Sequence, residues 1–242
     1  MDPATTIDLS IVLPAYLEEE NLRVLLPRLK KVLDQLNIRY EVLVIDTMTA
    51  MDNTKLVCQE FAVKYNHRSP NNSFGSAVKS GIALAQGERI LFMDADGSHS
   101  PEFIPSLYTR IAEADVIIAS RYIDGGVTEN SASLMWMSRI LNFSYSLVLG
   151  LNCKDVSNSF KIYRAGQLKE MELNCENFDI VEEILFKLKV LNPSLKIIEV
   201  PFCFKERMFG ETKRNLVLFI ITYIFTLIRL RFSSVKRISS KR

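Results

Sequence analysis

The chain has 242 residues, 48% of them hydrophobic, with 30 basic against 28 acidic side chains and a net charge of +2. That length and apolar content support one sizeable core, and the near-balance of charge excludes the broad basic field of a general nucleic-acid binder. The four cysteines, Cys58, Cys153, Cys175 and Cys203, lack the paired spacing of a zinc or redox motif and are expected to be reduced and structural. Residues 1–6 carry neither the basic nor the apolar region of a secretion signal, so a cytoplasmic protein is expected.

Short Val- and Ile-rich runs alternate with helical patterns through the first half, as in strands joined by crossover helices in a mostly parallel sheet. The expected strands are Leu9–Leu13, Tyr40–Ile45, Ala62–Tyr65, Arg89–Met93 and Asp115–Ala119. Between the first two, Leu22, Leu25, Leu26, Leu29, Val32, Leu33 and Leu36 recur at helical spacing and predict one buried face. A second helix is predicted over Ser76–Ala85. Residues 123–133 turn polar and glycine-bearing, a loop long enough to cover a substrate, and an amphipathic or largely buried helix follows over Leu134–Leu149. Asp46 and Asp94 stand at strand ends, where open α/β sheets bind ligands.

Near the end of the sequence, Leu216–Ile228 is an apolar run of 13 residues, short of the roughly 20 a membrane-spanning helix needs. The basic residues Arg229, Arg231, Lys236, Arg237, Lys241 and Arg242 follow it. An apolar helix beside a basic cluster predicts an interfacial element on anionic lipid headgroups. The alternative is a core helix with a solvated tail.

Asp94-Ala95-Asp96 lies directly after an apolar strand. Two carboxylates one residue apart at a strand end can share a hard divalent cation, with phosphate oxygens and water completing its shell. The surrounding segment, Asp94 through Glu102, is Asp-Ala-Asp-Gly-Ser-His-Ser-Pro-Glu, and Leu13 through Asn21 reads Leu-Pro-Ala-Tyr-Leu-Glu-Glu-Glu-Asn. Val44-Ile45-Asp46, Phe74-Gly75-Ser76-Ala77, Ser120-Arg121-Tyr122 and Asp155–Phe160 fall between, and Pro201 through Lys213 closes the series. Together, from Leu9 to about Asn215, these segments resemble the family 2 glycosyltransferases, most of all the dolichyl-phosphate and polyprenyl-phosphate sugar transferases.

The resemblance implies a GT-A type, Rossmann-like α/β fold, with residues 1–214 as the catalytic domain and 215–242 as an interfacial helix and basic tail. It implies a nucleotide-sugar donor held by Pro14, Tyr16, Glu18, Asp46, Gly75, Asp94, Asp96, Arg207 and Lys213. Mg or Mn would sit on Asp94 and Asp96, with Arg207 and Lys213 clamping the diphosphate. Arg121 and Arg139 would meet a polyprenyl-phosphate acceptor, since a guanidinium makes paired bonds to phosphate. Five departures stand out: Leu17 where the family has Asn, Thr47 in place of a second Asp, a Met48–Thr54 turn one residue longer than usual, Met137 after Trp136 where relatives carry an Arg, so that Arg139 is the nearest cation, and Asn158-Ser159 in place of Ser-Gly. His99 is read as a structural turn residue.

The expected reaction is inverting attack at the anomeric carbon, with loss of nucleoside diphosphate, at the cytoplasmic face of a membrane. A lipid-phosphate acceptor needs no base. A saccharide hydroxyl acceptor would need one, for which Asp179, Glu182 and Glu183 are the candidates, and a catalytically weak nucleotide-binding scaffold is the reading from outside enzymology.

Overall fold

The computed structural model describes residues 6–209 and 216–232. Strand β1 (Leu9–Pro14) leads through helix α1 (Glu19–Gln35) to β2 (Tyr40–Asp46), and α2 (Thr54–Glu60) leads to β3 (Lys64–His67). Helix α3 (Phe74–Leu84) precedes β4 (Arg89–Phe92), and a 3-10 turn with α4 (Ile104–Tyr108) precedes β5 (Val116–Ser120). Then come β6 (Val127–Thr128), α5 (Ala132–Leu149), β7 (Lys161–Arg164), α6 (Ala165–Lys169), α7 (Ile180–Leu191), β8 (Ile197–Pro201), β9 (Cys203–Phe204) and α8 (Leu216–Phe232).

The main sheet runs β3-β2-β1-β4-β7-β5-β8, and β6 pairs with β9 in a small second sheet. All neighbours in the main sheet are parallel except β7, which is antiparallel to both β4 and β5. Successive strand residues point to opposite faces. Ile11, Leu13, Val42 and Val44 therefore join the core under α1 and α2, while Val12, Leu43 and Ile45 join the core that takes in α3 and α7. The result is a three-layer α/β/α domain.

In α1, Leu22, Leu25, Leu26, Leu29, Val32 and Leu33 are buried as the spacing predicts. Strand β3 begins two residues later than expected. Ala62 ends the preceding turn in the left-handed region (φ 52°) and cannot continue a strand. Helix α3 starts at Phe74, two residues before the prediction, because the Ser73 hydroxyl caps it by accepting from the Ser76 N–H. All four cysteines are unpaired thiols, three of them buried and Cys203 exposed.

Helix α5 departs most from expectation. Only Asn142, Tyr145 and Leu149 are buried, while Trp136, Ile140, Phe143 and Leu147 are exposed on the other face at spacings of four, three and four. Helix α8 repeats the arrangement, with Tyr223, Thr226 and Leu230 buried and Ile224, Phe225, Ile228 and Phe232 exposed. The two helices pack together, the Tyr145 hydroxyl donating to the Tyr223 carbonyl at 2.6 Å, and the Thr226 hydroxyl ties α8 to Asp179 at 2.5 Å. No helix among the described residues is long and apolar enough to cross a membrane.

Candidate active site

Strand order reverses at β1, with β2 on one side and β4 on the other, and such a switch point opens a crevice beyond the strands' carboxyl ends. Residues 14–18 leave β1 there, and Asp94–Asp96 follow β4. Leu17 sits at φ 58°, a conformation Asn tolerates and a larger side chain adopts at a cost of roughly 1 kcal/mol. The substitution noted in the sequence therefore falls on the one strained position of that turn.

Asp94 and Asp96 are both partly exposed and each keeps one oxygen committed. The Ser159 hydroxyl donates to Asp94 Oδ1 at 2.9 Å, and Asp96 Oδ1 accepts from the Ser98 N–H and hydroxyl at 3.0 and 2.6 Å. Their Oδ2 atoms lie beyond hydrogen-bond distance of the neighbouring side-chain nitrogens, 3.8 Å from His99 Nε2 and 3.7 Å from the Arg207 guanidinium. Two carboxylate oxygens left over in this way fit a hard cation with oxygen ligands. No three His, Cys, Asp or Glu side chains among the described residues could enclose a metal, so a cation held by this pair would need further oxygen ligands to complete its shell.

Arg207 stands between these carboxylates and the turn after β1. Its guanidinium makes a paired contact with Glu18 at 2.8 and 2.9 Å and donates to the Phe209 carbonyl. Burial raises the Glu18 carboxyl above its ordinary value, opposed by Arg207 and by the Asn21 amide. Asn21 also exchanges hydrogen bonds with the backbone of Phe209, and the Met208 N–H donates to the Asp96 carbonyl. Gly97 turns at φ 83°, and a Cβ there would strike the Met208 side chain. Residues 205–209 are thus strapped across the Asp94–Asp96 turn. Lys213, the second cation expected in the clamp, lies outside the described residues.

His99 is fully buried and stacks on Phe160 at 4.8 Å. Its Nδ1 accepts from the Asp94 N–H at 2.9 Å, so Nε2 bears the proton and donates to Asn158 Oδ1 at 3.0 Å. Burial holds the imidazole below its ordinary pKa. A neutral ring with both nitrogens satisfied is a turn support, as the sequence indicates.

Other expected contacts are placed differently. Asp46 is 1% exposed, with Oδ2 accepting from the Tyr65 hydroxyl at 2.9 Å, so it supports the floor of the crevice. Thr47 turns its hydroxyl to the Thr49 carbonyl at 2.7 Å. The close approach at Gly75 is to the chain itself, since a Cβ would meet the Cys175 carbonyl at 2.4 Å. Tyr16 is exposed at the crevice and Pro14 half-buried.

Arg121, read as an acceptor ligand, is buried against Asp155, with Nε and Nη2 each at 2.8 Å from its carboxylate. A carboxylate 34 residues away in sequence claims the guanidinium. Burial alone would raise the Asp155 carboxyl, but Arg121 outweighs it and holds the pKa below the ordinary range. Asp155→Ala should therefore strand a buried cation and cost about 3–5 kcal/mol, read as a lower urea midpoint. The carboxylate's contribution is complete above its unfolded pKa of about 3.9 and is lost as pH falls toward the depressed folded value. The acid limb of the stability profile should accordingly weaken in Asp155→Asn. Arg139, by contrast, is exposed, with its guanidinium 5.5 Å from the Tyr122 ring and 5.6 Å from that of Trp136.

All three candidate bases are buried. Asp179 accepts from Thr226 and from the Asn177 N–H, and Glu183 accepts from the Asn174 and Cys175 N–H groups. Glu182 sits beside Lys161, and burial pushes its pKa up to about 8.

Arg68 was not legible as a site residue. Its buried guanidinium donates to the carbonyls of Ala15, Ile45, Asp46, Asn72 and Ser73, joining the ends of β1 and β2 to the loop before α3. Five carbonyls converging from three segments leave no local sequence signal.

A mostly parallel sheet with two carboxylates at its switch point and a strapped arginine beside them defines an α/β domain of the GT-A type. Residues 10–171 match the model of glycosyl transferase family 2, and the chain belongs to that family. It is 36% identical over 212 residues to the dolichol-phosphate mannosyltransferase of Pyrococcus furiosus, covering 84% of this chain and 58% of that protein. The polyprenol monophosphomannose synthase of Mycolicibacterium smegmatis is 30% identical over 229 residues, covering 88% and 84% of the two chains. The glucosyl-3-phosphoglycerate synthase of Mycobacterium tuberculosis, solved with Mn2+, UDP and glucosyl-3-phosphoglycerate, shares the fold at a TM-score of 0.72. That match is 15% identical and covers 96% of this chain and 86% of the other.

Proposed function

We propose that the protein is an inverting glycosyltransferase that moves a sugar from a nucleotide-sugar donor to a polyprenyl phosphate at a membrane surface. The observation that carries this reading is a continuous connection between the carboxylate pair and an apolar two-helix face. Asn142 on α5 exchanges hydrogen bonds with Ser157, whose hydroxyl accepts from Arg121. Two residues on, Ser159 touches Asp94. The relatives that are 36% and 30% identical carry the names of a dolichol-phosphate and a polyprenol-phosphate mannose transferase, which supports the same acceptor class here.

Asp94 and Asp96 would hold the divalent cation, Mg or Mn, which when bound neutralises charge on the departing diphosphate. Arg207 meets that diphosphate from the side opposite the pair, exchanging part of its contact with Glu18, and Lys213 would join it. Glu18, Pro14 and Tyr16 line the nucleotide end of the crevice, with Asp46 and Gly75 holding its walls. At the other end, Arg139 takes the acceptor phosphate beside the Tyr122 and Trp136 rings, and Arg121 acts through the 155–159 segment. A phosphate oxygen attacks as an anion. The burial of Asp179, Glu182 and Glu183 agrees with a nucleophile that needs no base.

The exposed faces of α5 and α8 would lie on the cytoplasmic leaflet, with Arg139 and Arg231 toward anionic headgroups. Residues 1–214 serve as the catalytic domain and 215–242 as the anchor; the basic residues after Phe232 lie outside the described residues. A screen of nucleotide-sugar donors against a short polyprenyl phosphate, with Mg or Mn, should yield nucleoside diphosphate and a glycosylated lipid phosphate by mass. Donor hydrolysis without that lipid would point to a saccharide hydroxyl. No donor binding would point to a scaffold.

A further inference from the structure

We infer that Ser159 is a positioning residue that sets the carboxylate of Asp94 for cation binding. The inference rests on the reading of Asp94 and Asp96 as the cation's protein ligands, and it concerns a position at which the sequence departs from the family's Ser-Gly pattern. A glycine has no side chain to offer Asp94. Here the Ser159 hydroxyl donates to Oδ1 at 2.9 Å, which fixes the rotation of the carboxylate and leaves Oδ2 for the metal.

The neighbouring residues hold Ser159 in place from three directions. Asn158 donates to the Ala119 carbonyl at 2.6 Å and receives the His99 Nε2–H at 3.0 Å, while His99 Nδ1 accepts from the N–H of Asp94 itself. The Asp94 side chain is thus held directly by Ser159, and its N–H by His99, which the preceding residue Asn158 orients. Lys161, wholly buried, donates its ammonium protons to the carbonyls of Val156 and Asn158 and so curls the chain just before Ser159. Asp155 anchors the start of the segment to Arg121. A fully partnered support of this kind is what outer-shell groups of metal sites provide, and their removal costs about 10–100-fold in metal affinity.

The isosteric pair Ser159→Thr and Ser159→Val separates the hydroxyl from side-chain volume, and Ser159→Ala removes both. Mn2+ binding is titrated by electron paramagnetic resonance in the presence of UDP or GDP, with circular dichroism confirming that each variant is folded. Ser159→Val and Ser159→Ala should bind Mn2+ about tenfold more weakly than the wild type, and Ser159→Thr within about threefold of it. Wild-type affinity in Ser159→Val overturns the inference, and so does equal weakening in Ser159→Thr and Ser159→Val, which would assign the effect to volume. If the wild-type protein binds no Mn2+ with either nucleotide, the metal reading itself falls and takes this role of Ser159 with it. Wild-type binding with unaffected variants leaves that reading standing and removes Ser159 alone.

Discussion

Asp96→Asn should abolish turnover while leaving the protein folded. The amide keeps an oxygen for the Ser98 N–H and hydroxyl that Asp96 Oδ1 accepts in the native turn, so the turn survives and only the charge is lost. Removing one anionic ligand from a cation that stabilises a leaving diphosphate forfeits several kcal/mol of transition-state stabilisation. At 1.36 kcal/mol per tenfold, about 4 kcal/mol corresponds to about a thousandfold in kcat. Release of nucleoside diphosphate from donor and polyprenyl phosphate, followed at saturating Mg or Mn, is the measurement. Turnover within tenfold of wild type would sink the role of Asp96 as a ligand of the cation.

The second large effect belongs to the surface of α5. Ile140 and Phe143 are 63% and 67% exposed, and both lie on the stripe that continues onto α8. Withdrawing two such side chains from an apolar phase costs about 2–4 kcal/mol, so Ile140→Glu with Phe143→Glu should lower partitioning onto vesicles by thirtyfold or more. Phosphatidylcholine vesicles containing phosphatidylglycerol, pelleted with bound protein, give the readout. Leu56→Glu is the control, because Leu56 is 57% exposed on α2, a helix packed on the other face of the sheet. Raising salt should weaken binding of the native protein only in part, since the charges of Arg139 and Arg231 are screened and the apolar term is not. Vesicle binding by the double variant equal to that of the native protein would remove the membrane face.

Local patterns made the framework legible. The six buried apolar positions of α1 and the Val- and Ile-rich runs of β1, β2 and β4 carry their own periodicity, because each signal is complete within one element. Asp94 and Asp96 were legible for the same reason, standing immediately after a strand. Arg121 and Arg139 look alike in sequence, both being cations near aromatic residues. Only the fold buries one against Asp155, 34 residues away, and leaves the other open. In α5, apolar residues occur all around the helix, so spacing alone could not say which face packs.

The sequence by itself determined an α/β domain, the carboxylate pair after its fourth strand and the family to which the chain belongs. Each follows from short-range order, whether side-chain period, a motif of a few residues or a run too short to span a bilayer. The tertiary structure decided the antiparallel insertion of β7, the grip of Ser159 and His99 on Asp94, the strap of Arg207 to Glu18 and the outward turn of the α5 stripe. Apart from the short-range contact of His99, these are arrangements between residues tens to nearly two hundred positions apart, and no local pattern records them, because partner and direction are set by which surfaces the packed sheet leaves adjacent.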